Sequence, residues 1–156
     1  MTLKILNKKQ KQGIIEKLNE QFGIKEISGK IIMMGKEKLF LFSGNFTDRE
    51  IKKLEKLTVI ERIGVYFAKV DEPTSKLRLS IEGSQILKEQ IKKNIFDLNE
   101  DQVEEWMKGH ELLVKTGKKD FLIIKYKEDY LGSGKASEEK IGNFIPKNRR
   151  LRERNN

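Results

Sequence analysis

The stretch FLIIKYKEDYLGSGKAS, residues 121–137, narrows the possible folds more than any other part of this chain. Phe121 to Ile124 is a short apolar run that reads as a strand, Glu128-Asp129 reads as a turn, and Leu131 to Ser137 as a returning strand broken by Gly132 and Gly134. Glycines inside a strand mark a bulge or a place where another backbone comes close. The expectation drawn here is an open kink at which phosphate and sugar approach the bare peptide N–H groups at Gly132 and Gly134. Lys135 and a cationic tail after Pro146, with Lys147, Arg149, Arg150 and Arg152, would supply charge on the same surface. The partner this combination points to is RNA.

Charge and composition lead the same way. The 156 residues include 33 Lys and Arg against 24 Asp and Glu, a formal charge of +9. A cationic excess with a clustered tail suits nucleic-acid binding. Residues 1–94 hold 20 basic and 12 acidic side chains, and residues 95–156 hold 13 and 12, with the acids early in that part and the arginines late. The absence of cysteine removes disulfides, thiol nucleophiles and thiolate metal sites, and one histidine, His110, leaves little for zinc or for Ser-His-Asp chemistry. Neither metal nor cofactor is expected. No apolar run approaches the roughly 20 residues of a membrane span, and MTLKILNKKQ has no apolar signal segment. The expectation is a cytoplasmic protein with no membrane partner.

Along the chain, Ile14, Ile15, Leu18 and Phe22 form the stripe of an amphipathic helix from Asn7, closed by Gly23. KIIMMG and KLFLFS read as a hairpin around Gly35-Lys36-Glu37. Thr47 and Glu50 make a capping box for a helix over Asp48 to Lys56. A strand is expected over Val59 to Val70 with Gly64 as a bulge, and another at KLRLSI, with Leu77, Leu79 and Ile81 facing inward and Lys76, Arg78 and Ser80 facing solvent. SQILKEQI reads as a short helix. The apolar pair Ile95-Phe96 after it marks the join between two tightly packed domains, 1–90 and 91–156. Asn99 caps a helix from Glu100 to Lys108 with Val103, Trp106 and Met107 buried. Strands follow at Glu111 to Lys115, Phe121 to Tyr126, Leu131 to Ser137 and Ile141 to Ile145, with a hairpin at Thr116-Gly117-Lys118-Lys119, an order that can close into a small barrel.

Catalytic motifs are missing from this pattern. GSGK is not a P-loop, because Asp129 stands where the first glycine is needed and Ala136 where Ser or Thr would hold magnesium. Carboxylates fall on helix first turns and exposed faces, not in a shared apolar pocket. No catalytic residue is assigned. His110 follows a helix end, where an imidazole meets terminal carbonyls. Trp106 lies on an apolar stripe and reads as core, while Tyr130 beside a turn is a candidate exposed ring.

Three segments, GHELLVK, FLIIKYKEDYLGSGKAS and NFIPKNRRL, resemble the PUA domain, named for pseudouridine synthases and archaeosine transglycosylases, and above all the variant attached to Sun/Fmu-type rRNA cytosine methyltransferases. YFAKVDEPTSKLRLSIEGSQIL resembles the end of the pre-PUA domain of small ribosome-biogenesis factors related to the yeast nuclear import protein seven family. The resemblance implies an α+β fold, an N-terminal α+β pre-PUA domain followed by a C-terminal PUA β-pseudobarrel, with no catalytic centre of its own. It also implies RNA contacts, to rRNA or tRNA, from Lys108, Gly109 and His110 after the first helix of the domain, from Gly132, Gly134 and Lys135 on the strand, and from Lys147, Arg149, Arg150 and Arg152. An RNA-modifying enzyme or a pre-ribosomal particle is a candidate further partner. The first helix departs from the family in being acidic, with Glu100, Asp101, Glu104 and Glu105, so that face is expected to point away from phosphate or toward a protein. The alternative reading is a module that docks an RNA methyltransferase or ribosomal protein, or a tRNA-binding accessory protein. Cytosine methylation is not implied, since the matching segments exclude the methyltransferase part.

Overall fold

A computed structural model describes residues 2–57 and 64–152. It contains two sheets. The first is antiparallel in the order β1 (Leu3–Ile5), β2 (Lys30–Met34), β3 (Lys38–Phe42), β4 (Val65–Val70), β5 (Leu77–Leu79). The second runs β6 (Ile95–Asp97), β7 (Asp120–Tyr126), β8 (Asp129–Ala136), β9 (Ile141–Asn143), with β6 alone parallel to its neighbour. Helices and sheets together give the α+β class.

KIIMM and KLFLF are apolar on both faces because the first sheet is covered on both. Helix α1 (Lys8–Phe22) lays Ile14, Ile15, Leu18 and Phe22 against Ile31, Leu39, Phe67, Leu77 and Leu79. The capping box of Asn7 and Gln10 starts that helix, and Gly23 ends it at φ 85°, a left-handed conformation that costs glycine little. On the other face Ile51 of α2 (Asp48–Leu57) packs on Leu3, Ile32, Met34 and Phe40. Thr47 and Glu50 form the expected box, 3.1 and 3.2 Å between backbone N–H and side chain. Both edges of this sheet are blocked. Glu55 accepts the Leu3 N–H at 2.9 Å and Lys52 donates to the Leu3 carbonyl, while Gln21 both accepts from and donates to the Leu77 backbone at 2.8 Å. Occupied edges cannot template pairing with another chain.

The second sheet is covered by the helix Glu100–Met107 (α4, the third helix, α3, being Ile81–Ile86), which buries Trp106 among Leu98, Leu112, Leu122, Ile124, Ala136, Ile141 and Ile145. Its cap is the Asn99–Gln102 box. Phe121 and Ile123 of β7 point the opposite way and belong to the core of α1 and the first sheet. The two sheets thus share one apolar cluster.

Several expectations need correction. Glu111 to Lys115 is not a strand and no hairpin forms at 116–119. Only Leu112 pairs, as a bridge to Ile141, and the Val114 N–H donates back to the Leu112 carbonyl at 3.1 Å. Leu112 is buried and Leu113 is 85% exposed, so the two faces alternate as in a strand, but beyond the Leu112 bridge the segment has no continuous ladder partner among the described residues. Ile95-Phe96 lies in the first strand of the second sheet, and Leu3–Ile5 is a strand that was not expected. The helix expected at SQILKEQI is split: Ser84 to Ile86 end α3, which starts earlier at Ile81, and Lys88–Gln90 form a separate 3-10 turn. The strand expected from Val59 begins at Val65; positions 58–63 lie outside the described residues.

Candidate nucleic-acid interface

The glycines of LGSGK do not make an open face. Gly132 and Gly134 are both buried. At Gly132 (φ 83°) a Cβ would sit 3.1 Å from the Ile81 nitrogen and 3.3 Å from the Ser80 carbonyl carbon, and its N–H donates to Ser84 Oγ at 2.9 Å. At Gly134 a Cβ would lie 2.5 Å from Ile141 Cγ2 and 2.7 Å from Trp106 Cη2. Between them Ser133, also buried, accepts the Leu79 N–H through Oγ at 2.9 Å. Close approach is what the glycines provide, but the approaching groups belong to the same chain. This segment clasps β5 and α3 on one side and admits the Trp106 ring on the other, so the expectation of bare N–H groups meeting RNA at Gly132 and Gly134 is overturned.

Lys135 is different. It is exposed, pairs across the sheet with Phe121 and holds its ammonium 5.8 Å from that ring's centroid. Tyr130 is half-buried against the shared core, with Lys125 Nζ 5.5 Å from its ring, and its N–H donates to Gln85. It is not an open stacking platform.

The tail folds back. After β9 the chain makes a 3-10 turn at Lys147–Arg149, and the Leu151 N–H donates to the Met107 carbonyl at 2.7 Å. Arg150 Nε donates to the Ile145 carbonyl at 2.9 Å, and the guanidinium lies over Gly109, which at φ 89° leaves no room for a Cβ. Lys108, Gly109, His110 and Arg150 are therefore brought together, with Lys147, Arg149 and Arg152 exposed along the same segment. Asn143 fixes the turn by donating to the Trp106 and His110 carbonyls at 2.8 and 2.9 Å, a role the sequence reading missed. His110 Nδ1 lies 2.6 Å from Glu105 Oε2, a carboxylate contact where a carbonyl contact was expected. That bond, chiefly, holds the Glu105 carboxyl below the ordinary carboxylate range. Lys108 faces Glu104 at 3.7 Å and Glu105 at 4.0 Å. Arg149 pairs with Glu82 of α3. Such solvent-exposed pairs are weak and screened by salt, so a phosphate can displace them.

Two further residues went unread. Arg78, taken as a solvated cation, is half-buried with its guanidinium 4.0 Å from the Phe144 ring centroid, and Phe144 packs on Phe121 at 6.0 Å. Nothing local in KLRLSI reports a ring arriving from the far end of the chain.

This part of the chain is a four-stranded sheet with one capped helix and a basic segment returned to that helix's end. Residues 93–151 match the family model of the methyltransferase RsmF PUA domain, so this part of the chain is similar to the PUA modules of Sun/Fmu-type methyltransferases, a likeness that suggests RNA as ligand. No curated protein matches the chain.

Proposed function

We propose that this protein is a non-catalytic accessory factor that binds structured RNA through its PUA domain, in ribosome biogenesis or rRNA modification, with residues 91–156 as that domain and 1–90 as a pre-PUA domain fastened to it. The observation that carries the reading is the tail laid across the turn after α4, Arg150 over Gly109, with Lys108 and His110 at that turn and Lys147, Arg149 and Arg152 exposed along the tail, and in this reading those cations meet the polyanion. Cations in that arrangement read backbone position and helical shape rather than base sequence. Carboxylates elsewhere are spent on surface lysines, as in Asp48 with Lys30 and Glu37 with Lys69, which supports a binding role over acid-base chemistry.

The test replaces Lys147, Arg149 and Arg152 together by alanine, leaving Arg150 in its packed place. Affinity for a fluorescein-labelled rRNA hairpin is measured from about 50 to 300 mM KCl, the range over which counterion release dominates. Each lost phosphate contact should lower the slope of log affinity against log salt by roughly 0.7 to 0.9. A triple variant with the wild-type slope overturns the assignment.

A further inference from the structure

Resting on the RNA-binding reading, we infer that the cleft where the first sheet meets the Phe144–Arg149 segment receives one unstacked nucleotide of the bound strand, with Arg78 taking its phosphate. Arg78 sits between the buried Leu77 and Leu79, so its side chain leaves β5 on the face opposite α1, where the apolar cluster around Ile51 of α2 reaches across β1 to β3 and, through Tyr66, the near end of β4, but not β5. There it is held by the Phe144 ring and has no carboxylate within 4.0 Å among the described residues. Its neighbours at the junction are committed: Lys69 to Glu37 at 3.2 Å, Lys76 to Asp120, and Arg149 to Glu82. An oriented cation with no acidic partner is a place for an anion, and a guanidinium suits phosphate by its forked donors.

The shape of the cleft limits what enters. Tyr66, Arg78, Phe144 and Arg149 line a volume of about 120 Å³, well under the roughly 300 Å³ of small-molecule sites. It fits one protruding group of a larger ligand. Arg149 lines it as well as standing on the tail, and Glu82, the one carboxylate among the described lining residues, is paired with Arg149, so a strand lying along the tail reaches Arg78 past a charge that is already neutralised. Tyr66 and Phe144 offer ring surface beside the guanidinium, and unstacked bases settle on such surfaces.

Two RNAs separate this inference from the broader reading: a blunt hairpin, and the same hairpin with a six-uridine 3′ overhang. Anisotropy titrations of the full chain should show the overhang adding affinity. Arg78→Gln should remove that gain, about tenfold, and lower the salt slope by about 0.7 for the overhang RNA alone, while Arg78→Lys restores the slope. Tyr66→Leu, which keeps an apolar side chain against Phe40, should lose several-fold on the overhang RNA only. Melting by circular dichroism checks that each variant is folded. The inference is overturned if the overhang adds nothing, if Arg78→Gln and Tyr66→Leu bind it as wild type does, or if both RNAs weaken equally. In all three cases an effect of the tail substitutions leaves the RNA-binding reading standing. Wild-type protein that binds neither hairpin at the lowest salt, about 50 mM KCl, removes both.

Discussion

Gly134→Ala separates a glycine that packs from a glycine that touches RNA. The added methyl would lie 2.5 Å from Ile141 Cγ2 and 2.7 Å from Trp106 Cη2, and both of those side chains are fully buried, so neither has open space to move into. Its backbone φ is not in the left-handed region, which leaves overpacking as the whole penalty. Inserting one carbon into a filled core costs about 1–3 kcal/mol, and two simultaneous close contacts place this variant at the upper end, about 2–3 kcal/mol. For a chain of this length each kcal/mol moves the melting temperature by roughly 2–4 °C, so calorimetry should record a fall of about 4–12 °C. Affinity of the folded variant for an RNA hairpin, titrated well below its new midpoint, should equal that of the wild type. An unchanged Tm combined with lost RNA affinity would refute the reasoning and return Gly134 to an exposed binding face.

Three other perturbations follow from the same structure. Gly13→Ala, in the middle of α1 with nothing within 4 Å of the new Cβ, should raise stability in urea by about 0.5–1 kcal/mol; a loss would show a contact not accounted for. Ser133→Ala leaves the buried Leu79 N–H without its acceptor and should cost about 1–3 kcal/mol by denaturant unfolding, whereas a neutral result would remove the clasp from the list of forces joining the two sheets. Glu55 accepts the Leu3 N–H, and that bond is the main reason its carboxyl lies below the ordinary range. The native value is thus lower than the unfolded one, so its contribution is complete above about pH 4.3 and disappears as pH falls through the native value. Amide exchange at Leu3, corrected for intrinsic rate, should lose protection in that window, and Glu55→Gln should lose the pH dependence.

Where the chain's local chemistry was unambiguous, its reading held. The stripe of Ile14, Ile15, Leu18 and Phe22, the caps at Thr47 and Asn99, and the strands around Phe121 and Leu131 are all found where side-chain period and hydrogen-bonding residues place them. These signals live within a few residues of one another. The strand expected over Glu111 to Lys115 failed because its deciding contact is not local: Leu112 and Leu113 are adjacent, and only a distant partner, Ile141, settled which of the two would be buried.

The sequence by itself determined three of the four α-helices described, the caps at Thr47 and Asn99, most strands and the cationic tail, because period and capping are properties of neighbouring residues. It also marked Gly132 and Gly134 as sites of close approach. Only the tertiary structure decided what approaches: Ser80 and Ile81 at one, Trp106 and Ile141 at the other. A missing Cβ leaves the same space whether a phosphate or the protein's own backbone fills it. In the same way, Arg78 becomes a fixed cation without a carboxylate partner only once Phe144 is folded beside it, since its position depends on two segments that meet through packing and not through sequence.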